Sequence, residues 1–195
     1  MVGVRQFDEQ EALEKALELF WQKGYANTTM QELAEATGVL RGSLYNAYRD
    51  KETLFLRVFE LYRERYVGKM RDALDKPGLR ESLQDFFAFV IASMTTGTPS
   101  RGCLSTKTAL GAEALDDPIH EVLKGLLDAV EAALYQRLSR AGKDENLALP
   151  PRQAARMIVA MTRGLVVIER VYRDEKRMRA TASSLIDLLL PGRPG

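Results

Sequence analysis

Residues 24–54 read GYANTTMQELAEATGVLRGSLYNAYRDKETL, and the punctuation of this stretch sets the local path of the chain. Gly24 closes the helix before it, because a helix C-terminus favours a residue free to adopt positive φ. Thr29 followed by Glu32 makes a capping box, so a helix starts after Thr29 and carries Leu33, Ala34 and Ala36. Gly38 stops that helix after barely two turns. A second short helix, about Arg41 to Ala47, leads to Asp50, which caps a much longer helix bearing Leu54, Phe55, Val58, Phe59, Leu61 and Tyr62. Two short helices joined at a glycine, with small Ala34 four residues before it, fit a helix-turn-helix. Val39 and Leu44 supply the apolar contacts that hold the second helix on the first. The same spacing also joins unspecialised helices of all-α proteins, so spacing alone leaves both readings open.

Working outward, apolar residues recur with helical period nearly everywhere, and no alternating run argues for a strand. Leu13, Ala16, Leu17, Phe20 and Trp21 form one stripe ahead of Gly24. After the Pro77-Gly78 break, helices are predicted over about 79–95, 103–115, 118–140, 151–172 and 176–190, with Pro151 at a first-turn position. The fold class is therefore all-α with about nine helices: an N-terminal three-helix helix-turn-helix domain over residues 1–50 and a larger helical domain over 51–195.

Composition narrows the chemistry. With 195 residues, 46% hydrophobic and 28% charged, the chain is long enough for a sizeable core and is neither fibrous nor low in apolar content. One cysteine excludes an internal disulfide or a cysteine-rich zinc site, and the one histidine, His120, offers no multi-histidine metal site or histidine-based triad. No phosphate loop and no converging set of ionisable groups is visible, so no metal, no cofactor and no enzymatic activity is expected. Lysine and arginine number 28 against 27 for aspartate and glutamate, and that +1 balance is silent on nucleic acid. The opening Met1 to Asp8 has no signal-peptide pattern and no stretch reaches ~18 apolar residues, so the sequence predicts a cytoplasmic protein with no membrane span.

The glycine-aromatic helix end, the capping threonine, Leu33-Ala34, Gly38-Val39, Gly42-Ser43-Leu44-Tyr45 and Lys51-Glu52 stand in one register. Over roughly the first 60 residues this closely resembles the amino-terminal domain of the tetracycline-repressor (TetR/AcrR) family of bacterial transcriptional regulators. The resemblance implies a homodimer on double-stranded palindromic operator DNA, released by a small-molecule effector. It implies that Arg41, Gly42 and Ser43 open the recognition helix, where Arg41 pairs with a guanine edge, and that Gln31 reads a base from the preceding helix. Thr29, Tyr45 and Lys51 match phosphate-holding positions, and Asn46 bonds a phosphate or the groove wall. Tyr48 replaces a common phenylalanine and packs in the small core. Leu40 stands where a serine or threonine often caps the recognition helix, and Ala47 replaces a frequent histidine. Arg5 is read either as a minor-groove arm or as a solvated terminal arginine.

For the larger domain, the wide apolar surface of the helix near 151–172 and the leucines of the last helix suit a four-helix dimer interface, or the core of a large monomer. Phe86, Phe89, Met94, Cys103, Leu126 and Met161 are candidates to line an effector pocket, as are Phe87, Leu110 and Met157. Cys103, close to Arg101 and Lys107, invites an alternative in which an electrophile or oxidant modifies the thiol. The rival of another class is an all-α enzyme or binding module that uses the helix-turn-helix only as scaffold.

Overall fold

In the computed structural model the described residues are 7–98, 100–111, 117–142 and 145–192; Arg5 lies outside them. They form nine helices and no strand: α1 (Glu9–Lys23), α2 (Met30–Thr37), α3 (Arg41–Tyr48), α4 (Lys51–Leu74), α5 (Leu79–Thr95), α6 (Leu104–Leu110), α7 (Asp117–Leu138), α8 (Pro151–Tyr172) and α9 (Glu175–Leu189). The second helix after the Pro77-Gly78 break is shorter than its apolar pattern predicts: α6 ends at Leu110, which is exposed.

Asp50 and Pro151 act as the sequence reads, and two aspartates not singled out there cap helices as well. Asp8 accepts the amide of Glu11 at 3.0 Å and Asp174 that of Arg177 at 3.1 Å, each satisfying a first-turn donor. Asp50 accepts the amide of Thr53 at 2.7 Å and starts α4, and that bond holds its carboxyl below the usual carboxylate range. Pro151 opens α8, where its missing N–H removes a donor that a helix leaves unpaired anyway.

The chain divides into two compact units. The first comprises Met1–Glu64 and Cys103–Lys124. Its core is aromatic: Phe20 meets Phe55 edge-on with ring centres 5.1 Å apart, Trp21 meets Tyr62 at 5.1 Å, Phe55 meets Phe59 at 5.6 Å, and Leu33 and Leu44 are fully buried in the same unit. The second unit comprises Arg65–Gly102 and Gly125–Gly195, where α5 packs on α8 and α9. Leu83, Phe86 and Phe87 of α5, Ile158 and Leu165 of α8 and Met178 and Ile186 of α9 are all buried there. Arg80 ties this unit together, donating to Asp187 at 2.5 Å and to the Leu190 carbonyl at 2.7 Å.

Candidate nucleic-acid interface

The helix-turn-helix is built from its caps inward. Thr29 accepts the amide of Glu32 at 3.2 Å, while its own amide donates to the Glu32 carboxylate at 2.9 Å. Lys23 donates to the same carboxylate, and these bonds, led by the lysine, lower the Glu32 pKa from 4.5 to about 2. At the other end Gly38 adopts φ 71°, and its amide donates to the Ala34 carbonyl at 3.0 Å. Leu33, Ala34, Leu44 and Tyr48 are buried between the two short helices and α1, and the Tyr48 hydroxyl donates to Glu9 at 3.3 Å.

What α3 leaves outside is the candidate reading face. Arg41, Gly42, Tyr45 and Asn46 are exposed and Ser43 is half-buried. Arg41 leans on Tyr45, with its guanidinium 3.4 Å from the phenol oxygen and 5.4 Å from the ring centre, so the two side chains are pre-arranged as a pair. Gly42 has no internal reason to be glycine. Its φ is not positive and a β-carbon there would meet nothing within 4 Å, although glycine in a helix costs roughly 0.5–1 kcal/mol relative to alanine. A position that gives up stability without any intramolecular return suits close approach by an outside surface. The helix starts after Leu40, whose side chain is 79% exposed and offers no cap, so the first α3 amides have no side-chain acceptor.

The other sequence candidates flank this face in different states. Thr29 is exposed but its hydroxyl is engaged in the capping box, donating to Glu32 at 2.8 Å. Gln31 is exposed and donates to Glu35 at 2.8 Å. Lys51 is half-buried, with its ammonium 3.0 Å from the Tyr25 carbonyl and 4.3 Å from the centre of the Tyr25 ring; burial lowers its pKa. Arg49 caps α3 at φ 67° with its side chain exposed, next to Lys51.

A tie unforeseen in the sequence completes α1. The last four carbonyls of a helix lack partners within it. Here the Phe20 carbonyl takes the Gly24 amide at 2.8 Å and the Lys23 carbonyl takes the Asn27 side-chain amide at 3.3 Å. Lys107 of α6 donates to the remaining two, Trp21 at 2.7 Å and Gln22 at 3.2 Å. In the sequence Lys107 stands out only as a neighbour of Cys103; in the structure its ammonium caps α1.

The pocket candidates are scattered over both units. Phe86, Met94 and Leu126 are buried and Phe89 and Met161 half-buried in the second unit, while Cys103 is buried in the first, at the N-cap of α6 with its sulfur 3.1 Å from the Ser105 hydroxyl. Leu110 and Met157 do not line an interior: both are exposed. A cavity of about 260 Å³ in the second unit, between the ends of α4 and α7, is bounded by Arg71, Asp72, Arg137 and Arg140 rather than by any of these residues. No helix among the described residues is long and apolar enough to cross a membrane.

Comparison with known proteins agrees with this architecture. Residues 12–58 match the profile of bacterial regulatory proteins of the tetR family, and residues 79–185 match that of the tetracyclin repressor-like C-terminal domain. The chain is 34% identical over 136 residues to the HTH-type transcriptional repressor ComR of Escherichia coli (strain K12), a match that spans 68% of this chain and 64% of ComR. It is 28% identical over 142 residues to the uncharacterized HTH-type transcriptional regulator YezE of Bacillus subtilis (strain 168), covering 72% of this chain and 73% of that protein. Among solved structures, a cysteine mutant of the TetR family transcriptional regulator CifR, complexed with 26 bp double-strand operator DNA, superposes with a TM-score of 0.83 at 27% identity, covering 94% of this chain and 98% of that one. With the C-terminal profile alone spanning more than half of its length, the chain belongs to the tetR family of bacterial regulatory proteins, a family of regulators and not of enzymes.

Proposed function

We propose that this protein is a homodimeric transcriptional repressor that binds palindromic operator DNA through α3 and leaves it when a small-molecule effector binds. Residues 1–50 read the DNA, and residues 51–195 hold the effector and the dimer partner. The observation that carries the reading is the exposed α3 face, with its Arg41–Tyr45 pair and a glycine at position 42 that nothing inside the protein requires. Arg41 takes a guanine edge, Ser43 and Gln31 meet neighbouring bases, and Thr29, Tyr45, Asn46 and Lys51 meet phosphates. Lys51 does so while still braced on Tyr25. Two such heads must sit about one helical turn apart, and the exposed apolar line Met157, Val167 and Val171 on α8, with exposed Gly164 between them, offers the surface for the second copy.

The test is selection of bound DNA from a random pool, then footprinting at low and high salt. A palindromic site is expected, with Arg41→Ala and Tyr45→Ala folded but at least tenfold weaker on it. Absence of any preferred site at low salt, where phosphate contacts are strongest, rejects the reading. A second reading, in which modification of Cys103 replaces effector binding, is favoured by one geometric fact: Cys103 starts α6, and its carbonyl accepts the amide of Lys107, the residue that caps α1. Cys103→Ala should then abolish release by an electrophile; an unchanged response removes that reading.

A further inference from the structure

The inward stripe of α8 runs Ile158, Thr162, Leu165, Val166 and ends on Glu169, a carboxylate only 3% exposed. Its position in the stripe calls for an apolar residue. One carboxylate oxygen accepts the Ser100 hydroxyl at 2.5 Å, and the other, Oε2, is buried with no hydrogen-bond partner. Other buried polar groups of the second unit are answered: Thr162 donates to the Val159 carbonyl at 2.7 Å, and Ser82 donates to Gly78 while receiving Arg137 at 2.9 Å.

The distribution of cations makes the contrast sharper. Several exposed or half-exposed carboxylates of the same unit have basic partners: Asp187 has Arg80, Asp85 has Lys76, and Glu131 has Arg156 and Arg152. Such pairs contribute little at a wet surface. Glu169, whose burial makes a counter-charge most valuable, has none among the described residues, and an uncompensated buried ion is among the costliest features a core can carry. A buried acceptor without a partner calls for a specific cause.

We infer that Glu169 Oε2 is the anchor for a cationic nitrogen, the ammonium or amidinium head of an effector whose remainder is apolar. The carboxylate supplies charge and an acceptor, Ser100 holds its other oxygen in place, and Leu165 and Val166 give neighbouring surface that favours hydrocarbon. An anionic head is repelled at this oxygen, and a neutral donor gains a hydrogen bond there without the attraction of opposite charge. Because Oε2 is enclosed, a ligand reaches it only by parting the packing around the end of α8, so occupancy and conformation are coupled there. The inference rests on the effector-responsive reading above and names the effector's chemical class.

The test uses the full chain without DNA and four probes that differ in head group: hexylammonium, benzylammonium, hexanol and hexanoate. At least one ammonium is expected to raise the thermal midpoint saturably, with hexanol much weaker and hexanoate inert, and Glu169→Gln is expected to weaken the ammonium at least tenfold, about 1.4 kcal/mol. Glu169→Leu, which removes the buried charge altogether, should unfold at the same or a higher temperature than the wild type. Equal responses to hexanol or hexanoate, no response to either ammonium, an unchanged response in Glu169→Gln, or a large drop in midpoint for Glu169→Leu overturns the inference. Operator binding measured in parallel keeps the two readings apart: Glu169→Gln should bind operator like the wild type, and a wild-type protein with no operator condemns the repressor reading whatever the ammonium does.

Discussion

Replacing Lys107 with methionine keeps the aliphatic stem and removes the ammonium that serves the Trp21 and Gln22 carbonyls. A hydrogen bond from a charged donor contributes ~1.5–3 kcal/mol, and a cation at a helix C-terminus ~0.3–1 kcal/mol; these overlap because both describe the same charge at the same end. The bond to Gln22 is exposed and the one to Trp21 part-buried, which places the loss at the low end, about 1.5–2 kcal/mol for the pair. For a chain of this size each kilocalorie lowers the thermal midpoint by ~2–4 °C, so a fall of about 3–8 °C is expected. Urea unfolding followed by helical circular dichroism is the decisive assay, because a lower midpoint at unchanged slope reports stability and not a change in the unfolded chain. Lys107→Arg should recover most of the loss, and Lys124→Met, which removes an exposed lysine 3.9 Å from Glu121, should change stability by less than about 0.5 kcal/mol. If Lys107→Met falls within that same margin, the lysine is an ornament of α6 and the argument that it completes α1 fails.

Three further outcomes follow from the geometry. Gly42→Ala should stabilise the protein by about 0.5 kcal/mol, since the site is helical and empty around a β-carbon, yet weaken operator binding; equal or tighter binding would mean that no outside surface approaches there. Glu32, with its pKa lowered to about 2 from 4.5, contributes stability that is complete above 4.5 and is lost as pH falls towards 2, so the acid side of the wild-type thermal profile should be steeper in that window than that of Glu32→Gln; parallel profiles would show that the Lys23 bond does not matter. Val171→Asp, on a side chain 69% exposed in the isolated chain, should shift sedimentation equilibrium from dimer to monomer with helix content retained, whereas an intact dimer would move the interface elsewhere.

The local signals were legible because they obey short-range rules. Thr29 with Glu32, Gly38 at positive φ, Asp50 ahead of α4 and Pro151 at the start of α8 each state an element boundary within four residues of themselves. The candidate face came from the family resemblance instead: helical period sends Leu44 and Tyr48 to one side but sets Arg41, seven residues before Tyr48, on nearly the same azimuth, and Arg41 is exposed at the first turn of α3 all the same. Periodicity failed where an apolar residue sits at an element's end. Leu110 continues the apolar pattern of α6 but stands at its last position, before the Gly111 cap, and is 75% exposed.

What the sequence concealed are polar contacts that join residues far apart in the chain. Lys107 and Trp21 are 86 residues apart, Glu169 and Ser100 are 69 apart, and Lys51 reaches the Tyr25 carbonyl across 26. Hydrophobic patterning assigns a residue to inside or outside, and so places Lys107 and Lys51 on a solvated face and gives Glu169 no special standing within a helix rich in charge. Yet these three depart most from their averages: two lysines that spend their charge on backbone carbonyls, and a buried carboxylate with one oxygen unanswered. The lysines leave nothing unexplained: Lys107 gives a strong donor to two carbonyls that α1 leaves open, and Lys51 adds a second donor to the Tyr25 carbonyl, which already takes the Thr28 amide. Glu169 is different. Its Ser100 bond accounts for one oxygen, leucine at the same place would pack as well without desolvating a charge, and so the carboxylate has to be understood through something that meets its second oxygen.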